Sequence, residues 1–205
     1  MWALVEDNTI TKIINNPKAM LIGDTQYSRN IFSFRWSNEE REAIGLYEIV
    51  FNNTNKKDEA YYINTNQTFT YDADAGTVTA TYGDATAKAH ADTLYTAQDE
   101  SDGLGTEGEV KIEGLKTIKI RTVKKQAAGI LQDTDWYIVR KADADTDVPS
   151  AITTYRAAVR TKGAAMETLI TNASDTPAIE TLYTFTEQED GSVTRPLGEL
   201  PTLES

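Results

Sequence analysis

Residues 129–160, GILQDTDWYIVRKADADTDVPSAITTYRAAVR, decide the fold of the second half of the chain. Asp133 or Thr134 can cap a short helix that carries Trp136, Tyr137, Ile138 and Val139 toward Lys141. ADADTD then reads as a loop. Pro149 stands where a first helical turn tolerates proline and opens a long helix through ITTYRAAVRTKGAAMETLITNA. Its apolar stripe is Ile152, Tyr155, Val159, Met166, Leu169, Ile170 and Ala173.

Upstream, LKTIKIRTVKKQAAGILQ (115–132) sets Ile120, Val123, Ala127, Ile130 and Leu131 on one helical stripe, with Lys116, Lys119, Arg121, Lys124 and Lys125 on the remainder. The two stripes and their short connection predict a helical hairpin over residues 115–175. Trp136 either fills the space between the helices or grips a partner. Basic residues on a solvated helix of an acidic protein pair with neighbouring carboxylates more readily than with phosphates.

The first 84 residues read differently. WALVEDNTITKII (2–14) is apolar and β-branched on both sides of Asp7-Asn8, a hairpin signal. Phe32, Phe34 and Trp36 alternate with Ser33 and Arg35 at the period of a half-buried strand. In SNEEREAIGL, Ser37 and Glu40 have capping-box spacing and Gly45 is placed to end the helix. LYEIVFNN and AYYINTNQTFTYDADAGTVTATYG follow as strands, the latter broken by a turn at Asp74-Ala75-Gly76.

The predicted fold is therefore α+β: a small antiparallel β-rich domain with one short helix (1–84), an acidic glycine-containing linker (85–114), a helical hairpin module (115–175) and a mostly extended tail (176–205). The linker holds Asp99, Glu100, Asp102, Glu107 and Glu109, read as a solvated face or tether.

Composition narrows the chemistry. Thirty-two Asp and Glu against 20 Lys and Arg leave a net charge of −12 over 205 residues, which repels nucleic acid. The absence of cysteine removes disulfides, thiolate metal sites and thiol nucleophiles. With His90 the sole histidine, triads and histidine metal clusters lack material. Phosphate-binding and nucleophile-elbow motifs do not occur.

Asp143, Asp145 and Asp147 match the opening ligands of a calcium loop, yet Val148 replaces the required glycine and Thr154 the closing glutamate. Asp72 and Asp74 begin a second imperfect match, so both stretches read as polar turns. The reading is a protein without enzymatic activity, catalytic residues, metal or cofactor. The N-terminus lacks a signal-peptide pattern and no apolar run reaches membrane-spanning length, so no membrane partner is expected. The sequons at Asn52, Asn66 and Asn172 are read as chance matches.

The runs L-x-x-T-D-W-Y-x-V-R-K-A (131–142) and V-P-S-x-I-x-x-Y-R-x-A-V-R (148–160) resemble the C-terminal module of bacteriophage tail-fibre assembly and tail-chaperone proteins. In layout, FRWSNEEREAIGLYEIVFNN is similar to small domains of marine phage tail-associated proteins. The Trp-Pro element frequent near the end of the assembly proteins is here Arg195-Pro196-Leu197. The resemblance implies a binding function, assisting the folding or attachment of a tail fibre in the host cytoplasm. The alternative is a permanent virion component of the tail, baseplate or fibre-attachment region.

On that basis the expected partner is a tail-fibre or other tail protein, with homo-oligomerisation left open. The expected contacts are Trp136, Tyr137, Arg140, Tyr155 and Arg156, since Trp, Tyr and Arg concentrate interface energy. The competing reading of the same residues is internal: Trp136 and Tyr155 close the hairpin core, and Arg140 and Arg156 pair with the ADADTD acids.

Overall fold

The computed structural model describes residues 1–65 and 67–203; the sequon at Asn66 and the last two residues of the tail lie outside them. The protein is mixed α+β and divides into two compact units, Met1–Thr86 and Ala87–Ser205.

The first unit is built on a five-stranded sheet. Strands β1 (Trp2–Glu6) and β2 (Thr9–Ile14) form an antiparallel hairpin whose turn holds Asp7 and Asn8 at φ 50° and 59°, the geometry that matches strand twist. A second hairpin follows, β3 (Met20–Ile22) with β4 (Thr25–Tyr27), then the short helix α1 (Asn38–Glu42). Strand β5 (Leu46–Asn52) pairs antiparallel with β1. After the short strand β6 (Tyr62–Ile63), strands β7 (Gln67–Asp72) and β8 (Thr77–Tyr82) pair with each other, and β8 runs parallel to β5. The order is β2-β1-β5-β8-β7, curled so that β2 approaches β7.

Because β1 is central and covered on both faces, four of its five residues are buried. Ala3 and Val5 join Ile49, Val78 and Ala80 inside the curl, while Trp2 packs with Ile14, Ile31 and Leu46 on the other face. The capping box of α1 forms as its spacing predicts: Glu40 N–H donates to Ser37 Oγ and Ser37 N–H donates to the Glu40 carboxylate. Gly45 ends the segment at φ +76°, and a Cβ there would lie 2.3 Å from the Val5 carbonyl oxygen. No other residue fits that approach.

The strand expected at Phe32–Trp36 is absent. A 3₁₀ turn over Arg29–Phe32 is followed by a bend, because the Ser28, Ser33 and Ser37 hydroxyls offer the backbone local hydrogen bonds that compete with a ladder. Phe32 and Trp36 turn into the core, and Phe34 turns out.

In the second unit, the stretch 85–114 expected as a linker is folded. Thr93–Leu94 pairs with Val110–Ile112, and between them helix α2 (Ala97–Ser101) starts on a Thr96–Asp99 capping box. Its acids do specific work. Lys111 and the Thr96 amide and hydroxyl hold the Asp99 carboxyl down at about 2. Asp92 accepts from Gly114 N–H and Thr117 Oγ1, while Leu115 and Lys116 N–H donate to the Ala89 and His90 carbonyls. These contacts supply the cap that helix α3 (Leu115–Gln132) does not provide from its own N-cap, Gly114. Glycine content suggested mobility, but Gly103 and Gly108 serve turns at positive φ.

Helix α3 packs against α5 (Ser150–Asn172) as the hairpin predicts, with α4 (Asp135–Ala144) in the connection. Buried Gly163 faces Ala127. The tail is less extended than expected. Asp175 caps a further helix, α6 (Thr176–Tyr183), and Leu197 is fully buried with Val123, Met166 and Ile170.

Candidate binding surface on helix α4

The α3–α4 corner is fastened by Arg156. This side chain, only 6% exposed, donates from Nη1 to the Leu131 carbonyl at 2.8 Å and to Thr134 Oγ1 at 2.6 Å. Its Nη2 meets Asp135 at 2.8 Å. Thr134 is buried and donates its own hydroxyl to Leu131 O, so the arginine satisfies carbonyl and hydroxyl groups that the end of α3 leaves open. Arg156, expected as a partner contact, is thus an internal clasp. Its acid partner is Asp135, not the ADADTD loop.

At its far end α4 stops with Asp145 in the left-handed region, φ 49°. Lys141 Nζ donates to Asp145 at 2.7 Å and to Asp147 at 2.8 Å, and these carboxylates, Asp145 first, hold the ammonium above its ordinary range. A lysine ammonium therefore occupies the acids of the imperfect calcium loop. Among the described residues, no group of three His, Cys, Asp or Glu is arranged to hold a metal ion.

Between these two anchors α4 buries none of its ten residues. Trp136 is 51% exposed, Ile138 44% and Val139 65%. The Trp136 and Tyr137 rings lie 3.8 Å apart between centroids, tilted by 31°. The Arg140 guanidinium covers both, 4.8 Å from the first ring and 5.4 Å from the second. Arg140 makes no ion pair with a described residue, and its Nε is enclosed without a hydrogen-bond partner. Three of the five expected contact residues are therefore gathered into one stack, Trp136 exposed and Tyr137 and Arg140 half-buried, in which aromatic faces and a cation preorganise each other.

Tyr155 is separate. It lies half-buried on α5 in a shallow trough shared with Ala151, Ala158 and the tail residues Pro201 and Leu203. Ile138 and Val139 were not among the expected contacts. The signal for them was nonetheless in the sequence: four consecutive large apolar residues on a ten-residue helix cannot all face one core.

The basic side of α3 is largely engaged within the unit. Arg121 pairs with Glu113, Lys124 with Glu167, Lys116 Nζ donates to the Thr171 carbonyl, and Lys119 lies over the Tyr183 ring. Among the described residues, no helix is long and apolar enough to cross a membrane. No protein-family model, curated protein or solved structure matches the chain.

Proposed function

We propose that the protein is a phage tail-associated binding protein that assists the folding or attachment of a tail fibre and engages its partner through α4. The observation that carries this reading is a helix rich in large apolar side chains that buries none of them within its own chain. Leaving a Trp, Ile or Val side chain in water forgoes about 1.5–3 kcal/mol each, and contiguous exposed apolar surface on a folded unit marks an interaction site. The stack of Trp136, Tyr137 and Arg140 has the composition of an interface hot spot, and Ile138 and Val139 add exposed apolar surface on the same helix. Its fixed geometry lowers the entropy lost on docking. The resemblance of residues 131–160 to tail-fibre assembly proteins supplies the class of partner.

Co-expression with a phage tail-fibre subunit tests the proposal. The pair should co-purify, and Trp136→Ala should weaken the complex by roughly thirtyfold or more. Co-purification unchanged in Trp136→Ala, with the helical unit still folded, would refute α4 as the docking element. Mass spectrometry of purified particles then separates the two forms of the role, since an assembly chaperone is absent from the virion and a permanent component is present in fixed copies.

A further inference from the structure

Phe34 is 94% exposed, yet the turn that carries it is rigidly held. Trp36 N–H donates to the Ser33 carbonyl across the turn. On one side Phe32 meets Trp2 edge-on at 5.6 Å, and on the other Trp36 meets Tyr27 edge-on at 5.9 Å. Below it, Arg41 is 6% exposed and spends its guanidinium on the loop: Nε donates to the Ile31 carbonyl at 2.8 Å, Nη2 to the Ser33 carbonyl and Nη1 to Asn38 Oδ1 at 2.9 Å. A buried arginine thus fixes the backbone that points a phenyl ring into solvent. The flanking Arg29 and Arg35 are exposed, and neither makes an ion pair with a described residue. The result is an apolar knob between two free cations on a chain of net charge −12.

The same unit holds a complementary seat. A cleft of about 290 Å³ is walled by Trp2, Leu46, Ile49 and Val50 together with Glu42 and Glu48. A space of roughly 150 Å³ is enough for a benzene ring. Arg41 also borders the cleft, but its donors are taken by the loop carbonyls and Asn38. Neither Glu42 nor Glu48 has an ion-pair partner among the described residues. Knob and seat are therefore complementary in size and opposite in charge, and both belong to Met1–Thr86.

We infer that the first unit binds a second copy of this chain, with Phe34 of one copy entering the cleft of the other and Arg29 and Arg35 facing Glu42 and Glu48. The interface belongs to the first unit and shares no residue with α4. A contact of this kind buries the large apolar side chain that, among the described residues, the unit leaves almost wholly in water. Like charges meeting across any other docking of this acidic surface are avoided, which favours this register.

Sedimentation equilibrium of the full chain reads the outcome. The wild type should show a mass of at least twice 22.7 kDa. Phe34→Ala, a change at an exposed position, should leave the melting temperature unaltered and weaken association by roughly thirtyfold or more. Two charge-reversed chains give the sharper test: Arg29→Glu with Arg35→Glu makes knob and seat both negative, and Glu42→Arg with Glu48→Arg makes both positive. Each alone should be monomeric, and their equimolar mixture should associate. A wild type monomeric up to about 1 mM, a Phe34→Ala chain that associates like wild type, or a mixture that stays monomeric would each overturn the proposal. A monomeric wild type that co-sediments with anionic lipid vesicles, while Phe34→Ala does not, would overturn the proposal and assign the knob to a lipid surface instead.

Discussion

Residues 2–5, WALV, and residues 136–139, WYIV, are nearly interchangeable in composition and opposite in fate. The first run lies on β1 and is at most 9% exposed at any position, covered from both faces of the sheet. The second lies on α4, where Trp136, Ile138 and Val139 are 44–65% exposed. Hydrophobicity alone does not distinguish them; topology does. A central strand shows alternate residues to two covered faces, so four apolar residues in a row are all accommodated. A short helix in a connection touches its own unit along one edge, and four in a row leave a surplus. That surplus is what a partner can bury.

The contrast can be broken most strongly on its closed side. Gly45→Ala places a Cβ against the Val5 carbonyl at positive φ, beside the Val5 N–H to Gly45 carbonyl bond that joins the segment to β1. Strain and overlap together should cost about 3–4 kcal/mol. Amide hydrogen exchange of β1 and β5 should accelerate correspondingly, while exchange in α5 should not. Acceleration in α5 equal to that in β1 would show the two units to be one cooperative body.

The clasp between α3, α4 and α5 is the next largest. Arg156→Ala leaves the Leu131 carbonyl and Thr134 hydroxyl without their charged donor and should destabilise the helical unit by about 2 kcal/mol, read from the urea midpoint of its helical signal. Arg156→Lys should not restore it, since one ammonium cannot reproduce donors directed to Leu131, Thr134 and Asp135 at once. A wild-type midpoint in either variant would place the anchorage of α4 elsewhere.

Much of this architecture was legible in the sequence where the determinant is local. The Asp7-Asn8 hairpin, the Ser37–Glu40 capping box, Gly45 and the α3 and α5 stripes depend on spacings of a few residues, and the structure reproduces them, except that Leu169 of the α5 stripe is 40% exposed. What was not legible depends on distant partners. Asp92 caps a helix 22 residues away in sequence, so 85–114 looked like tether until α3 was in place. Arg156 reaches back 25 residues to the Leu131 carbonyl, which no window around Tyr155 could reveal. At Phe34 the period-2 signal was present but lost to serine side chains that close the backbone into turns. Of the expected contacts, Trp136, Tyr137 and Arg140 come together because they share one helix. Tyr155 and Arg156 lie on the next helix, Tyr155 half-buried along its apolar stripe and Arg156 beside it, buried against the end of α3.

Trp136, Ile138 and Val139 of α4 lie outside the core of the free chain. Thermal unfolding of a Trp136→Ala, Val139→Ala double variant tests it most directly. If α4 is held open for a partner, the melting temperature moves by less than about 2 °C, as for surface positions in a chain of this size. A fall of about 8 °C or more, the signature of two large side chains removed from a packed interior, would contradict it.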